Sequence, residues 1–190
     1  MSTGLAAGIP ERREVRIETP RLLLRTWRES DAEALVRHAG NRNVSFHLRD
    51  RFPYPYTLKD AREFLATDAV VADPPLNLAI EALENPGEAI GSIGLMPMAD
   101  ISRFTCEVGY WIAEACWGRG YAAEALVHFT DYTFERFPFE RLEAHVSSGN
   151  PNSGRVLEKA GYEHEATLRR NVFKHGEFYD SFVYARLRVR

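Results

Sequence analysis

The sequence predicts a single α/β domain built on one mixed sheet, and three observations support this prediction. The chain has 190 residues, of which 45% are apolar, enough for one sizeable core and too few for two comfortable domains. In the first half, short apolar runs separated by turn residues favour an antiparallel meander. In the second half, strands alternate with amphipathic helices, which favours parallel neighbours. About seven strands and four helices are expected, in a domain over residues 14–190.

The N-terminal region is expected to form a tail, a strand and a helix. Residues 1–13 are small, polar and rich in arginine, which is typical of a flexible tail. Residues 15–24 are typical of one strand that is broken or bent near Pro20. Ser30 or Asp31 can then cap a first helix.

A long loop and a second helix follow. Residues 41–56 place Pro53 and Pro55 among aromatic residues, which indicates an ordered loop. Thr57 opens a second helix that ends before Asp73. The aromatic residues of the loop either line an acceptor pocket or pack on the core: Phe46, Phe52, Tyr54 and Tyr56.

The middle of the chain changes to the period of a strand. Residues 77–83 and 89–95 flank turn residues at 85–87 and predict a hairpin. Residues 105–113 alternate in the same way and supply the third strand of the meander.

The second half alternates strands with helices. A helix over residues 118–137 leads to a strand over 142–146, and a helix over 152–160 ends at Gly161. Two strands around a turn at 174–176 close the chain, and strand–helix–strand connections make adjacent strands parallel.

Composition excludes several classes of protein. The formal charge of −3 and pI near 6.1 give no basic field for nucleic acid. No apolar run approaches the roughly 18 residues that span a membrane, and no basic segment precedes the short apolar stretch at the N-terminus. Cys106 and Cys116 are too few for a disulfide scaffold and lack metal-ligand spacing. We expect a cytoplasmic protein with reduced thiols, no metal, and no nucleic-acid or membrane partner.

The most informative stretch is a glycine-containing turn at residues 111–123. Gly118 and Gly120 stand between a strand and a helix, where they let the backbone approach a ligand without obstruction by a Cβ. The first helical amides are unpaired and the helix dipole favours negative charge, so the turn suits a pyrophosphate. Alternatively, the glycines only allow the helix to pack closely.

The same residues also satisfy a dinucleotide-binding pattern. Residues 118–123 fit G-x-G-x-x-G/A, and Glu140 or Glu143 lies about 20 residues further on. The position of the motif weighs against this alternative, because an antiparallel meander precedes it and too few residues follow to complete a doubly wound sheet.

Four segments together resemble a known family. Residues 117–122 look like the acetyl-CoA pyrophosphate loop of the GNAT acetyltransferase superfamily, in the form found in its RimJ/RimL-type branch. Residues 109–112 resemble the strand that precedes that loop, residues 150–162 resemble the branch's later helix, and residues 19–25 resemble its first strand. The resemblance covers about residues 14–190.

The resemblance implies a sheet whose fourth and fifth strands splay apart around the pantetheine arm of acetyl-CoA, which is the co-substrate. The residues that it assigns to acetyl-CoA are Trp111, Ile112, Ala113, Trp117, Gly118, Arg119, Gly120, Tyr121, Ala122, Ala123, Asn150 and Ser153.

The catalytic residues are less strongly indicated. Glu107 precedes the cofactor strand segment and is the candidate general base, with Glu81 as a second candidate. Ser153 is the candidate donor to the leaving thiolate, because Leu157 occupies the position where many members of the superfamily have tyrosine. His145 is expected to be structural.

We therefore expect an N-acetyltransferase that transfers acetyl from acetyl-CoA to a primary amine by direct attack. The branch implies a protein N-terminal α-amine of the ribosomal-protein type, and a small amine such as a polyamine, an amino acid or an antibiotic is the alternative. A non-catalytic acyl-CoA-binding module would bind the cofactor but release no thiol. The sequence leaves a monomer and a homodimer equally open.

Overall fold

A computed structural model describes residues 14–189 as one eight-stranded sheet with helices on both faces. The expectation for residues 1–13 lies outside the described residues. The strands are β1 (Arg16–Glu18), β2 (Leu22–Arg25), β3 (Asn77–Ala82), β4 (Ala89–Pro97), β5 (Thr105–Ile112), β6 (Arg141–Ser147), β7 (Glu163–Lys174) and β8 (Glu177–Leu187). The α-helices are α1 (Ala32–Ala39), α2 (Arg42–Phe46), α3 (Leu58–Leu65), α4 (Asp68–Val71), α5 (Tyr121–Arg136) and α6 (Pro151–Lys159). Within the described part of the chain, no helix is long and apolar enough to cross a bilayer.

The strand order is β1-β2-β3-β4-β5-β6-β8-β7, and the first five strands form the predicted antiparallel part. The expectation of one broken strand near Pro20 is wrong. The chain reverses there, and β1 pairs antiparallel with β2. The Thr19 hydroxyl accepts a 2.8 Å hydrogen bond from the Leu22 amide, so the turn is closed by a side chain. This hairpin accounts for the eighth strand.

Parallel pairing in the second half is confined to β5 and β6. We expected the later strands to be parallel as well, but β8 lies between β6 and β7 and is antiparallel to both. The reason is the β7–β8 hairpin. His175 and Gly176 both have positive φ, at 51° and 86°, as a tight two-residue turn requires.

The segment between α1 and α3 is more structured than the predicted loop. It contains α2, which the Asn41 side chain caps by accepting hydrogen bonds from the amides of Asn43 and Val44. Thr57 caps α3 as predicted, through a capping box with Asp60. The second predicted helix is divided into α3 and α4, and this division together with α2 accounts for the six α-helices of residues 14–189 instead of four.

The sheet separates two apolar layers. Even-numbered residues of β5 face the larger layer under α5 and α6, where Cys106 and Val108 are buried. Odd-numbered residues face the opposite side, where Trp111 packs against the smaller layer formed with α1 and α3. Because side chains alternate along a strand, Glu107 and Tyr110 lie on opposite faces of the sheet.

A buried ion cluster ties α1 to the antiparallel strands. The guanidinium of Arg25 is fully buried and bonds to Asp31 at 2.7 Å and to Glu81 at 2.6 Å. Removal of one partner from such a cluster leaves a buried charge uncompensated. The cluster therefore fixes the register between β2, β3 and the start of α1.

Candidate active site

The site is organised around a gap between β5 and β6. The two strands pair over only three residue pairs, from Thr105 with Arg141 to Glu107 with Glu143. Beyond Glu107 the strands diverge, as the resemblance implied for its fourth and fifth strands, which are β5 and β6 here. The gap is thus an opening in the centre of an otherwise continuous sheet.

The backbone hydrogen-bonding groups of β5 point alternately towards β4 and towards the gap. The Ala113 amide donates to the Ile90 carbonyl of β4 at 2.7 Å. Hydrogen-bonding direction alternates along an antiparallel strand, so Trp111 also faces β4, while the backbone groups of Tyr110 and Ile112 face the gap. Of the three strand residues assigned to the cofactor, only Ile112 directs its amide into the opening. The Ile112 carbonyl accepts a 2.7 Å hydrogen bond from the Trp117 indole.

The predicted anion turn follows directly. Gly118 and Gly120 have φ of 76° and 80°, a left-handed conformation that favours glycine. Open space lies beside Gly118, where an added Cβ would meet no atom within 4 Å. The helix α5 begins at Tyr121, so its first amides, including those of Ala122 and Ala123, lie at the mouth of the gap.

The first β-hairpin holds this turn in place. Arg21 donates from Nη1 to the Arg119 carbonyl at 2.9 Å and forms an ion pair with Glu124 at 2.6 Å. The Thr19 hydroxyl donates to the same Glu124 carboxylate at 2.6 Å. Residues 19–25 resemble the first strand of the family branch, but neither that resemblance nor the local pattern assigns their side chains a contact with the turn. The structure shows that two of these side chains fix the turn and the first part of α5.

Arg119 and Tyr121 project towards a second carboxylate. Arg119 donates to Glu84 Oε1 at 2.6 Å, and the Tyr121 hydroxyl donates to the same atom at 3.1 Å. Both side chains are therefore turned towards the β3–β4 connection, so the predicted anion site is left to the backbone amides of the turn.

Glu107 lies where the β5–β6 ladder ends, and its side chain is 18% exposed. It forms a short ion pair with Arg49 from the segment after α2. A cavity of about 420 Å³ opens beside it, which we name the acceptor cleft; His145, Ser147 and Ser181 also line it. Glu107 thus combines a position beside the gap with access to solvent.

The two other polar candidates on the sheet have structural partners. Glu81 is buried, receives Arg25 at 2.6 Å and accepts from the Gly87 amide at 2.9 Å. Burial raises the pKa of Glu81, but the hydrogen bonds from Arg25 and Gly87 outweigh it and leave the pKa below its usual value. Glu81 therefore acts as a fixed counter-ion. His145 lines the acceptor cleft and pairs with Glu143 at 3.2 Å.

Ser153 lies in the first turn of α6, on the opposite face of the sheet from Glu107. Its hydroxyl is 2.9 Å from the hydroxyl of Tyr110 on β5, so one hydrogen bond connects the helix to the strand beside the gap. Burial raises the pKa of Tyr110 to about 12, and its hydroxyl keeps its proton at neutral pH. Asn150 immediately precedes α6, and its carbonyl accepts from the Ser153 amide at 3.1 Å.

Sequence reasoning missed Tyr110 because nothing in the local pattern connects it with Ser153, 43 residues away. The only available signal was its place on the strand before the glycine turn. Leu157 is fully buried in the core, so no hydroxyl is present at the position of the family's usual tyrosine.

The loop aromatics pack on the core or line a cavity, and Phe52 does both. Tyr56 is buried in the smaller apolar layer, and Phe52 stacks on it at a centroid distance of 4.7 Å. Phe46, Phe52 and Tyr54 line a second cavity of about 490 Å³, which we name the side cavity.

Comparison with known proteins identifies the class. The acetyltransferase (GNAT) domain model matches residues 21–163. The uncharacterized N-acetyltransferase YoaA of Bacillus subtilis is 30% identical over 176 residues, which are 92% of this chain and 97% of that protein. The chain belongs to the GNAT acetyltransferase family and is an acetyl-CoA-dependent N-acetyltransferase.

Solved structures share the fold. RimL, a ribosomal L7/L12 α-N-protein acetyltransferase in complex with coenzyme A, has a TM-score of 0.77 at 20% identity, covering 91% of this chain and 98% of its own. Spermidine N-acetyltransferase from Vibrio cholerae, with CoA and spermine, has a TM-score of 0.71 at 23% identity, covering 87% and 95%. The dinucleotide-binding alternative is wrong, because the sheet has one parallel pair and is not doubly wound.

The residues present fit acetyl-CoA. The glycine turn and the start of α5 offer unpaired amides to its pyrophosphate, and the strand gap offers backbone groups to its pantetheine arm. When bound, acetyl-CoA supplies the acetyl group as a thioester.

We predict that Gly120→Asp weakens CoA binding by at least about tenfold. The new carboxylate would stand in the anion turn and compete with Glu124 for Arg21, because a Cβ at position 120 would lie 3.6 Å from Arg21 Nη2. Calorimetric titration with CoA measures the effect. Gly176→Asp is the matched control, since that glycine also has positive φ but lies in the β7–β8 turn. Equal CoA affinity in the two folded variants would contradict the placement of the pyrophosphate.

Proposed function

We propose that this enzyme acetylates the α-amine of a peptide or protein N-terminus, with Glu107 as the general base. The observation that carries the proposal is the position of Glu107. Its carboxylate lies where the β5–β6 ladder ends and borders the acceptor cleft. An amine that enters the cleft reaches Glu107 on one face of the sheet, and the gap opens the sheet to the other face.

The acid–base chemistry of the amine favours an α-amine acceptor. An α-amino group with a pKa near 8 is about one-tenth neutral at pH 7, whereas a lysine amine near 10.4 is neutral in only a few molecules per ten thousand. A carboxylate is a modest base, directly or through one water molecule. A carboxylate is therefore sufficient to deprotonate an α-amine and poorly matched to a lysine amine.

The proton for the leaving thiolate comes, in this proposal, from Ser153. Its hydroxyl lies beside the gap, and the Tyr110 hydroxyl is 2.9 Å away. Because Tyr110 retains its own proton at neutral pH, it can donate that proton to Ser153 Oγ as the Ser153 proton moves to the thiolate. Solvent that enters the gap as the products leave then returns a proton to the Tyr110 oxygen. The base and the acid thus act from opposite faces of the sheet.

An acceptor screen tests the proposed function. Short peptides with free N-termini, free amino acids, polyamines and aminoglycosides are compared by release of free thiol from acetyl-CoA. We expect the highest kcat/KM for peptides. Turnover of polyamines or aminoglycosides with none of the peptides would contradict the proposal.

We predict that Glu107→Gln lowers kcat by about a hundredfold while CoA affinity changes little, because the side chain faces the acceptor and not the cofactor turn. Glu143→Gln is the control, since Glu143 is the register neighbour of Glu107 and already holds Arg141 and His145. The pH profile of kcat supplies a second readout. If the kcat of the Glu107→Gln enzyme is within about twofold of wild type at pH 7, Glu107 is not the general base.

We predict that Ser153→Ala slows turnover by about ten- to a hundredfold, since one hydrogen bond to a developing anion contributes about 1.5–3 kcal/mol. Tyr110→Phe should slow it less, because it leaves the Ser153 hydroxyl in place. An acetyl thioester with a better leaving group should partly restore the Ser153→Ala rate. A lower melting temperature with unchanged turnover would instead make Ser153 a structural residue of α6.

A further inference from the structure

The acceptor cleft and the side cavity are neighbouring cavities, and we refer to the two together as the cleft region. They share Phe46, Asp50 and Lys174 as lining residues. Lys174, at the end of β7, lines both cavities and donates to the Leu48 carbonyl and to Asp50 Oδ1, the latter at 3.0 Å.

The carboxylates that line this region are already paired with cations of the chain. Glu107 is bonded to Arg49, and Asp50 is bonded to Lys174. Arg42 also lines the side cavity. The region thus offers the acceptor an excess of positive charge and no free carboxylate.

Arg49 still has donors to offer. Its guanidinium has five N–H groups in a planar fork, and only Nη2 is bonded to Glu107. Its Nη1 group faces the Met96 sulfur at 3.8 Å, a weak acceptor, and the side chain is 54% exposed. An incoming carboxylate can therefore bind Arg49 without breaking the ion pair with Glu107.

We infer that the acceptor carries a carboxylate close to its amine, and that Arg49 binds this carboxylate. The inference rests on the proposed function, in which Glu107 takes the amine proton. Because Glu107 and the acceptor carboxylate share one guanidinium, the acceptor amine is held beside Glu107. Arg49 is in this way a specificity-determining residue.

The same charges disfavour a polycationic acceptor. A polyamine brings several ammonium groups and no carboxylate, so it must displace Arg49 or Lys174 from their carboxylates. It must also approach Arg42, which repels it. An acceptor with its own carboxylate can instead bind the free donors of Arg49 and leave the existing ion pairs intact.

Two sources of the carboxylate share this chemistry. One is the side chain of an acidic first residue in a peptide, and the other is the α-carboxylate of a free amino acid. The proposed peptide acceptor selects the first source, and the experiment separates the two.

The experiment compares matched acceptors on three enzymes by thiol release. The peptides Asp-Ala-Ala-Ala and Asn-Ala-Ala-Ala, both with amidated C-termini, differ only in the carboxylate; serine with serinamide, and spermidine, complete the set. The enzymes are wild type, Arg49→Gln and the control Arg51→Gln. Arg51 is a neighbouring exposed arginine whose contact is the Met96 sulfur and not a carboxylate.

We expect wild type to prefer the Asp peptide over the Asn peptide by about tenfold or more in kcat/KM. The ratio of kcat/KM for the Asp peptide to that for the Asn peptide should fall to near one in Arg49→Gln and stay at the wild-type value in Arg51→Gln. A ratio of two acceptors on the same enzyme is insensitive to any general loss of activity that follows from disturbing Glu107.

The contrary outcomes are distinguishable. Equal turnover of both peptides by wild type, or a preference that survives in Arg49→Gln, would overturn the inference and leave the peptide acceptor standing. Turnover of spermidine alone would overturn both. Turnover of serine but not serinamide or either peptide, if it depends on Arg49, would support the carboxylate site and overturn the peptide acceptor.

Discussion

The arrangement of the active site depends on the point at which pairing between β5 and β6 ends. Three residue pairs join the strands, and the rest of β5 and β6 have separate neighbours. Unpaired backbone groups inside a sheet are unfavourable unless a ligand or solvent satisfies them. The divergence therefore creates a slot whose polar edges suit the amide groups of a pantetheine arm. The gap does not disrupt the sheet because β5 pairs with β4 and β6 pairs with β8 along their lengths.

The gap also explains how groups on the two faces of the sheet can serve one site. Strand alternation places Glu107 towards the acceptor cleft and Tyr110 towards α6. In a continuous sheet these groups could not act on one reaction centre. With the sheet open between them, the proposed base on one face and the proposed hydroxyl donors on the other can approach the same atoms. The Arg21 and Thr19 contacts to Glu124 then fix the glycine turn at the mouth of the slot.

The sequence predicted the features that depend on local chemistry. The glycine turn, the meander, the capping of α3 by Thr57 and the termination of α6 at Gly161 follow from backbone preferences of neighbouring residues, and the structure contains them. The features that it could not predict depend on distant contacts. Insertion of β8 beside β6 and the Tyr110–Ser153 bond each join segments that no local pattern connects. The pairing of Glu107 with Arg49 is of the same kind, since the partners are 58 positions apart in the sequence.

The most direct test of the account is amide hydrogen exchange of β5, measured residue by residue with and without CoA. The amides of Tyr110 and Ile112 face the gap, whereas the Ala113 amide is bonded to Ile90 of β4. If the gap is the cofactor slot, saturation with CoA should slow exchange at Tyr110 and Ile112 by at least about tenfold and change Ala113 much less. Unchanged exchange at both gap-facing amides, in protein shown by calorimetry to be saturated with CoA, would contradict it.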